Sequence, residues 1–240
     1  MRTRAQPRPG SRPRFDPLAG TGPTARYDRK DSYYRRAKES GYRSRAAFKL
    51  EDLLRRLPKL ARGSAVVDLG CWPGAWLQVL AERVGPEGRV VGVDLQETDP
   101  LPHPVAVMQF DFAEPGAPER IALALTRKAD LLLCDASPKL TGVRDVDHAA
   151  LEEVWQAALA VADHVLTPAG AAVIKGFPCA EADAFRLRLR ERFARVSEVR
   201  PEGKRGTSRE FYWVALHEVP SGPRSSSGRR GGRNRRRRKS

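Results

Sequence analysis

The residues of this chain best placed for chemistry are carboxylates at the ends of short apolar runs, beside a glycine-rich turn. Val66-Val67-Asp68-Leu69-Gly70 leads into Cys71-Trp72-Pro73-Gly74-Ala75-Trp76, where two glycines and a proline let the backbone turn tightly and approach a bound molecule. Asp94 ends a second run, 24 residues after Gly70, and Asp111 ends a third at Phe110-Asp111-Phe112. A carboxylate placed as Asp94 is accepts hydrogen bonds from a ribose diol. Asp111 can take the exocyclic amine of an adenine. The turn is neither G-x-G-x-x-G nor a G-K-[ST] phosphate loop, so pyrophosphate is a poor ligand for it. The set fits a nucleoside without phosphates, which points to S-adenosylmethionine. The competing reading is that each carboxylate only caps a helix. Among the basic residues Lys175 stands out, because it closes the apolar run Ala171-Ala172-Val173-Ile174, where an unpaired charge is costly.

These positions require strands and helices in alternation. Ala47, Leu50, Leu53, Leu54 and Leu57 share one face of a helix over 44–61. Strands are expected at Ala65–Leu69, Arg89–Leu95, Val105–Phe110, Ala129–Cys134, Ala171–Phe177, Val196–Arg200 and Phe211–Leu216. Helices are expected at Ala75–Val84, Asp147–Leu166 and Ala180–Phe193. The continuous apolar run at Ala129–Cys134 marks a strand buried on both faces. Repeated βα units of this kind give an α/β fold, a parallel sheet covered by helices on both sides.

The charge is confined to parts of the chain. There are 44 Lys+Arg against 29 Asp+Glu in 240 residues, a net +15. Residues 1–28 carry six Arg and two Asp, and 219–240 carry eight Arg, one Lys and no acid. Both segments read as disordered basic arms around a domain at 29–218. Within that domain, 29–62 holds twelve basic and four acidic residues, whereas 63–218 is net acidic. Arg35, Arg36, Lys38, Arg43 and Arg45, interleaved with Tyr33, Tyr34 and Tyr42, suit phosphate contacts and base stacking. No apolar stretch is long enough for a membrane span, and the start lacks the apolar core of a secretory signal. Three separated cysteines without C-x-x-C, and four histidines without ligand spacing, predict neither a disulfide framework nor a metal site, and fit a reducing cytoplasm.

Five segments, in order, carry a family resemblance. Gly41-Tyr42-Arg43-Ser44-Arg45-Ala46-Ala47-Phe48-Lys49-Leu50, Asp68–Trp76, Asp135-Ala136-Ser137-Pro138, Ile174-Lys175 and Ser208-Arg209-Glu210-Phe211-Tyr212 resemble the motifs of the FtsJ/RrmJ-type RNA ribose 2′-O-methyltransferases. The resemblance spans 29–218. It implies a Rossmann-like S-adenosylmethionine-dependent methyltransferase with a mostly parallel seven-stranded sheet, the seventh strand antiparallel at Phe211–Leu216. It implies a catalytic tetrad of Lys49, Asp135, Lys175 and Glu210. The implied cofactor contacts are Gly74, Trp76, Asp94, Asp111 and Asp135. The chain departs from the family at Cys71 and Trp72, where small residues are usual, and at Ala75, which replaces a glycine. Trp72 either narrows the cofactor mouth or stacks on a base. Ala75 requires only a negative φ.

A ribose hydroxyl is a weak nucleophile, so transfer from a sulfonium needs an in-line approach and removal of the hydroxyl proton. A lysine can take it only as the free amine, which a reference pKa near 10.4 opposes and which burial or a second cation favours. Lys175 is the expected base, with Lys49 and Glu210 orienting it and the ribose. The family implies a uridine of large-subunit ribosomal RNA as target, met on the ribosomal subunit by a monomeric cytoplasmic enzyme without metal or membrane. Two alternatives remain: methylation of tRNA, and a non-catalytic ribosome-assembly factor with the same fold.

Overall fold

The apolar runs read from the sequence form strands that lie side by side in one sheet. In the computed structural model, which describes residues 35–139, 141–201 and 209–217, they are β1 (Ala65–Leu69), β2 (Arg89–Asp94), β3 (Val105–Gln109), β4 (Ala129–Cys134), β5 (Leu166–Gly176), β6 (Arg195–Val199) and β7 (Phe211–Leu216). Their spatial order is β3-β2-β1-β4-β5-β7-β6. Strands β1 to β5 pair in parallel, and β7 runs antiparallel between β5 and β6. The fold is therefore the mostly parallel seven-stranded α/β methyltransferase architecture. The order reverses between β1 and β4, so the crevice past their carboxyl ends is where a ligand belongs. The two arms and Tyr33 and Tyr34 lie outside the described residues.

Helices α1 (Ala46–Leu54), α2 (Ala75–Val84), α3 (Ala117–Leu125), α4 (Arg144–Val165) and α5 (Ala180–Arg192) cover the sheet. None among the described residues is long and apolar enough to cross a membrane. Strand periodicity decides what each face buries. Val67 and Leu69 of β1, Ile174 of β5 and Trp213 of β7 pack with α3, α4 and α5. Val66, Val173, Tyr212 and Val214 pack with α1 and α2. Lys175 follows Val173 by two residues, so it falls on the α1–α2 side. On the opposite side Trp155 and Trp213 meet edge to face at 5.0 Å, with Phe185 5.1 Å from Trp213. Both tryptophans are core residues.

Three elements differ from the sequence reading. Helix α1 stops at Leu54 instead of running to 61, because Leu57 precedes Pro58 and the residue before a proline avoids helical geometry. Strand β5 begins at Leu166, accommodating Pro168 and Gly170 through a register shift against β4 between Ala129 and Leu131. Helix α3 has no counterpart in the sequence reading, since only Ala117, Ile121 and Leu125 of its nine residues are buried.

Candidate active site

Four side chains named from sequence come together at the carboxyl ends of β4 and β5. Lys49 projects from α1, Asp135 follows β4, Lys175 is the penultimate residue of β5 and Glu210 precedes β7. The Lys49 Nζ lies 3.2 Å from Glu210 Oε1 and 3.5 Å from Asp135 Oδ2. Lys175 Nζ lies 3.2 Å from Asp135 Oδ1 and donates to the Asp135 main-chain oxygen at 2.5 Å. Asp135 is thus the hub, with one lysine at each carboxylate oxygen. Lys175 is 8% exposed. Its carbonyl accepts the Trp155 indole N–H at 2.9 Å, which ties the end of β5 to the aromatic core.

A fifth member, Tyr212, was not singled out from the sequence. Its hydroxyl accepts from Lys49 Nζ at 2.8 Å and donates to Asp135 Oδ1 at 2.5 Å. Burial, and next the Asp135 carboxylate, hold the phenol well above its usual pKa of 10.0, so it remains a donor. The available signal was periodicity: Tyr212 is two residues past Glu210 and so shares its face, and in the antiparallel register it sits opposite Lys175.

The glycine turn lies next to this cluster. Gly70 has φ +79, and a Cβ there would lie 2.6 Å from the Ala136 nitrogen, so only glycine lets the β1 loop approach the β4 loop. Gly74 has φ +98 and precedes α2, and Ala75 opens that helix with no positive φ. The Trp76 side chain is buried and its indole N–H donates to the Ala46 carbonyl at 2.8 Å. What Trp76 can still offer a ligand is its backbone N–H in the first turn of α2. Asp94 accepts from the backbone N–H groups of Trp72 (2.9 Å) and Gln96 (2.8 Å), and Asp111 accepts from that of Ala113 (2.9 Å). Both carboxylates shape their own loops while keeping further acceptor capacity. Trp72 is half exposed, whereas Cys71 is buried and burial pushes its thiol up to about 12.

Asp68, which the sequence places beside the turn without assigning it a role, is the most deeply buried of the carboxylates there. It is fully buried, and neither carboxylate oxygen has a hydrogen-bond partner among the described residues. Burial first, and then Asp135 and Asp94, raise its pKa well above 3.8. Such a group is costly unless a donor or cation reaches it.

The basic segment ahead of α1 is docked on this turn. Arg43 donates to the carbonyls of Pro73 (3.1 Å), Asp99 (2.8 Å) and Pro100 (3.0 Å), clamping the loops that carry Gly74 and follow Asp94. This corrects its expected role as a phosphate contact, since its guanidinium is committed to backbone. Tyr42 is likewise engaged, donating to Glu82 at 3.1 Å. Arg36 lies over the Phe48 ring at 4.6 Å and, with Arg35 and Lys38, remains exposed.

Comparison with known proteins agrees with the fold. Residues 42–218 match the family described as FtsJ-like methyltransferase. Two relatives are each named ribosomal RNA large subunit methyltransferase E. That from Methanothrix thermoacetophila is 41% identical over 187 residues, covering 78% of this chain and 72% of the relative. That from Anaeromyxobacter dehalogenans is 43% identical, covering 78% and 70%. A crystal structure from Plasmodium falciparum, described as a ribosomal RNA methyltransferase, superposes with a TM-score of 0.65 at 26% identity, covering 73% of this chain and 98% of that one.

Proposed function

Because the chain belongs to the FtsJ-like methyltransferase family, we propose that it methylates a ribose 2′-hydroxyl, on a uridine of large-subunit ribosomal RNA, with S-adenosylmethionine as donor. The names of the relatives favour ribosomal RNA over tRNA. The observation that carries the reading is the convergence of Lys49, Asp135, Lys175 and Glu210 beside the glycine turn.

The residues present fit the cofactor. It carries an ammonium and a sulfonium, and Asp68 presents two buried oxygens without partners at the root of the turn. Gly74 and the backbone at Trp76 would line its approach, Asp94 would hold the ribose diol, Asp111 the adenine amine, and Asp135 would border the methyl. When bound, the cofactor supplies an electrophilic methyl group and leaves as a neutral thioether.

Lys175 takes the proton of the 2′-hydroxyl as the oxygen–methyl bond forms. Asp135 aims that amine, and because it also serves Lys49 and Tyr212 it does not neutralise Lys175 alone. Lys49, held by Glu210, orients the ribose and keeps positive charge near the developing oxyanion. Positioning of this kind supplies several kcal/mol of the barrier, of the order of 7 or more in well-oriented systems. Residues 29–218 form the catalytic domain, with Arg35, Arg36 and Lys38 on its RNA face, and the arms at 1–28 and 219–240 tether RNA.

The test is Lys175→Ala with radiolabelled cofactor on undermethylated large subunits. Methyl transfer should fall at least about 100-fold, as loss of a general base does, with cofactor binding retained. Wild-type turnover would remove Lys175 from the role of base.

A further inference from the structure

Across the sheet from the lysine cluster, the fold closes a second group of reactive side chains that methyl transfer leaves unused. His148 lies near the start of α4, Cys179 immediately precedes α5 and Glu181 is in the first turn of α5. Their donor atoms (imidazole nitrogen, thiol sulfur and carboxylate oxygen) all lie within 4.8 Å of one another. His148 Nδ1 is 3.0 Å from Glu181 Oε2. That oxygen is screened from solvent, and the imidazole and the thiol both approach its carboxylate. Nitrogen, sulfur and oxygen donors thus converge on one point.

We propose that His148, Cys179 and Glu181 bind a zinc ion, with a fourth position open to water. The donor set selects the metal class. Thiolate and imidazole exclude magnesium and calcium, which take oxygen ligands, and the mixed nitrogen, sulfur and oxygen set is one that zinc accepts. Ligand bonds of about 2.0–2.3 Å in tetrahedral geometry place donors roughly 3.3–3.8 Å apart. The longest separation, up to 4.8 Å, therefore closes by about 1 Å on binding, while the His148–Glu181 pair at 3.0 Å opens slightly. The His148 and Glu181 side chains, 25% and 33% exposed, have the freedom to do so and leave the ion an entry path. Cys71 and Cys134 are buried, so Cys179 is the thiol that a metal can reach.

The ion would join α4 to the segment that follows Lys175 and Gly176 through Phe177 and Pro178. It would staple the far side of the strand whose last residues carry the amine. Sequence spacing predicts no metal site, because His148 is 31 residues from Cys179 and only the packing of α4 against α5 brings them together.

The test uses the full-length protein. Cobalt(II) titration should give a thiolate-to-metal charge-transfer band saturating at one equivalent, and zinc should displace the cobalt. Zinc should also protect Cys179, identified by mass spectrometry, from alkylation in the unaltered protein. Cys179→Ser should abolish the band, and His148→Ala should weaken zinc binding at least tenfold, with both variants keeping the wild-type circular dichroism. No band, no protection, or a band that survives Cys179→Ser would overturn the site. Zinc affinity unchanged in His148→Ala would overturn the assignment of that ligand and the three-residue site with it.

Discussion

Replacing Tyr212 with phenylalanine removes one oxygen from the centre of the site and little else. The ring is fully buried between α1 and the sheet, and a phenyl group fills the same space, so no cavity opens. Two hydrogen bonds to charged groups disappear, one from Lys49 Nζ at 2.8 Å and one to Asp135 Oδ1 at 2.5 Å. Such bonds contribute about 1.5–3 kcal/mol each. Neither charge is stranded, because Lys49 keeps Glu210 and Asp135 keeps both lysines. The lower end of the range therefore applies to each, and a loss of roughly 3 kcal/mol in stability follows. What the variant loses functionally is register: Lys49 and Asp135 are no longer held by a common hydroxyl. Single-turnover methyl transfer should fall roughly 10- to 100-fold, the equivalent of about 1.4–2.7 kcal/mol, while cofactor affinity changes less than about twofold. Rapid-quench turnover with tritiated cofactor, alongside thermal unfolding and cofactor titration, measures all three. Turnover within twofold of wild type, in a variant showing the expected stability loss, would mean that Tyr212 is packing and not part of the catalytic arrangement.

Arg43→Ala should raise the KM for cofactor roughly 5- to 20-fold, as expected for about 1–2 kcal/mol of lost loop positioning, with RNA affinity nearly unchanged; weaker RNA binding at constant cofactor KM would restore Arg43 as a phosphate contact. Asp68 has a raised pKa in the fold, so its contribution to stability is fully present below 3.8 and is lost as pH rises through the folded value. Asp68→Asn should therefore unfold at a higher temperature than wild type at pH 7 in the absence of cofactor, with the gap closing toward pH 4, and should bind cofactor more weakly; a pH-independent difference would contradict the burial argument. Deleting residues 219–240 removes nine basic residues and should weaken RNA binding and flatten its salt dependence while sparing cofactor binding, which filter binding across a salt series and cofactor titration would check.

The sheet and the cofactor turn were legible in the chain because their signals are local. An apolar run of five or six residues ending in an aspartate states a buried strand and its carboxyl end without reference to any partner, and Gly70 and Gly74 occupy positions whose backbone requires them. The convergence of Lys49, Asp135, Lys175 and Glu210 was legible through motif order, and the polarised charge set the basic segment around Lys49 apart from the acidic body. Other features depended on contacts that no local pattern encodes. Tyr212 read as one more aromatic of a buried strand until the antiparallel register set it opposite Lys175. Arg43 read as a phosphate contact until the loops at Pro73, Asp99 and Pro100 turned three carbonyls toward it. Asp68 read as part of a glycine motif, and its buried carboxylate exists only because helices and loops cover that face of the sheet. Local sequence determined which residues sit at strand ends, because backbone propensity and side-chain alternation act over a few residues. Tertiary structure alone decided which of those residues share a hydrogen bond, because that depends on how separate elements pack, to within a fraction of an ångström.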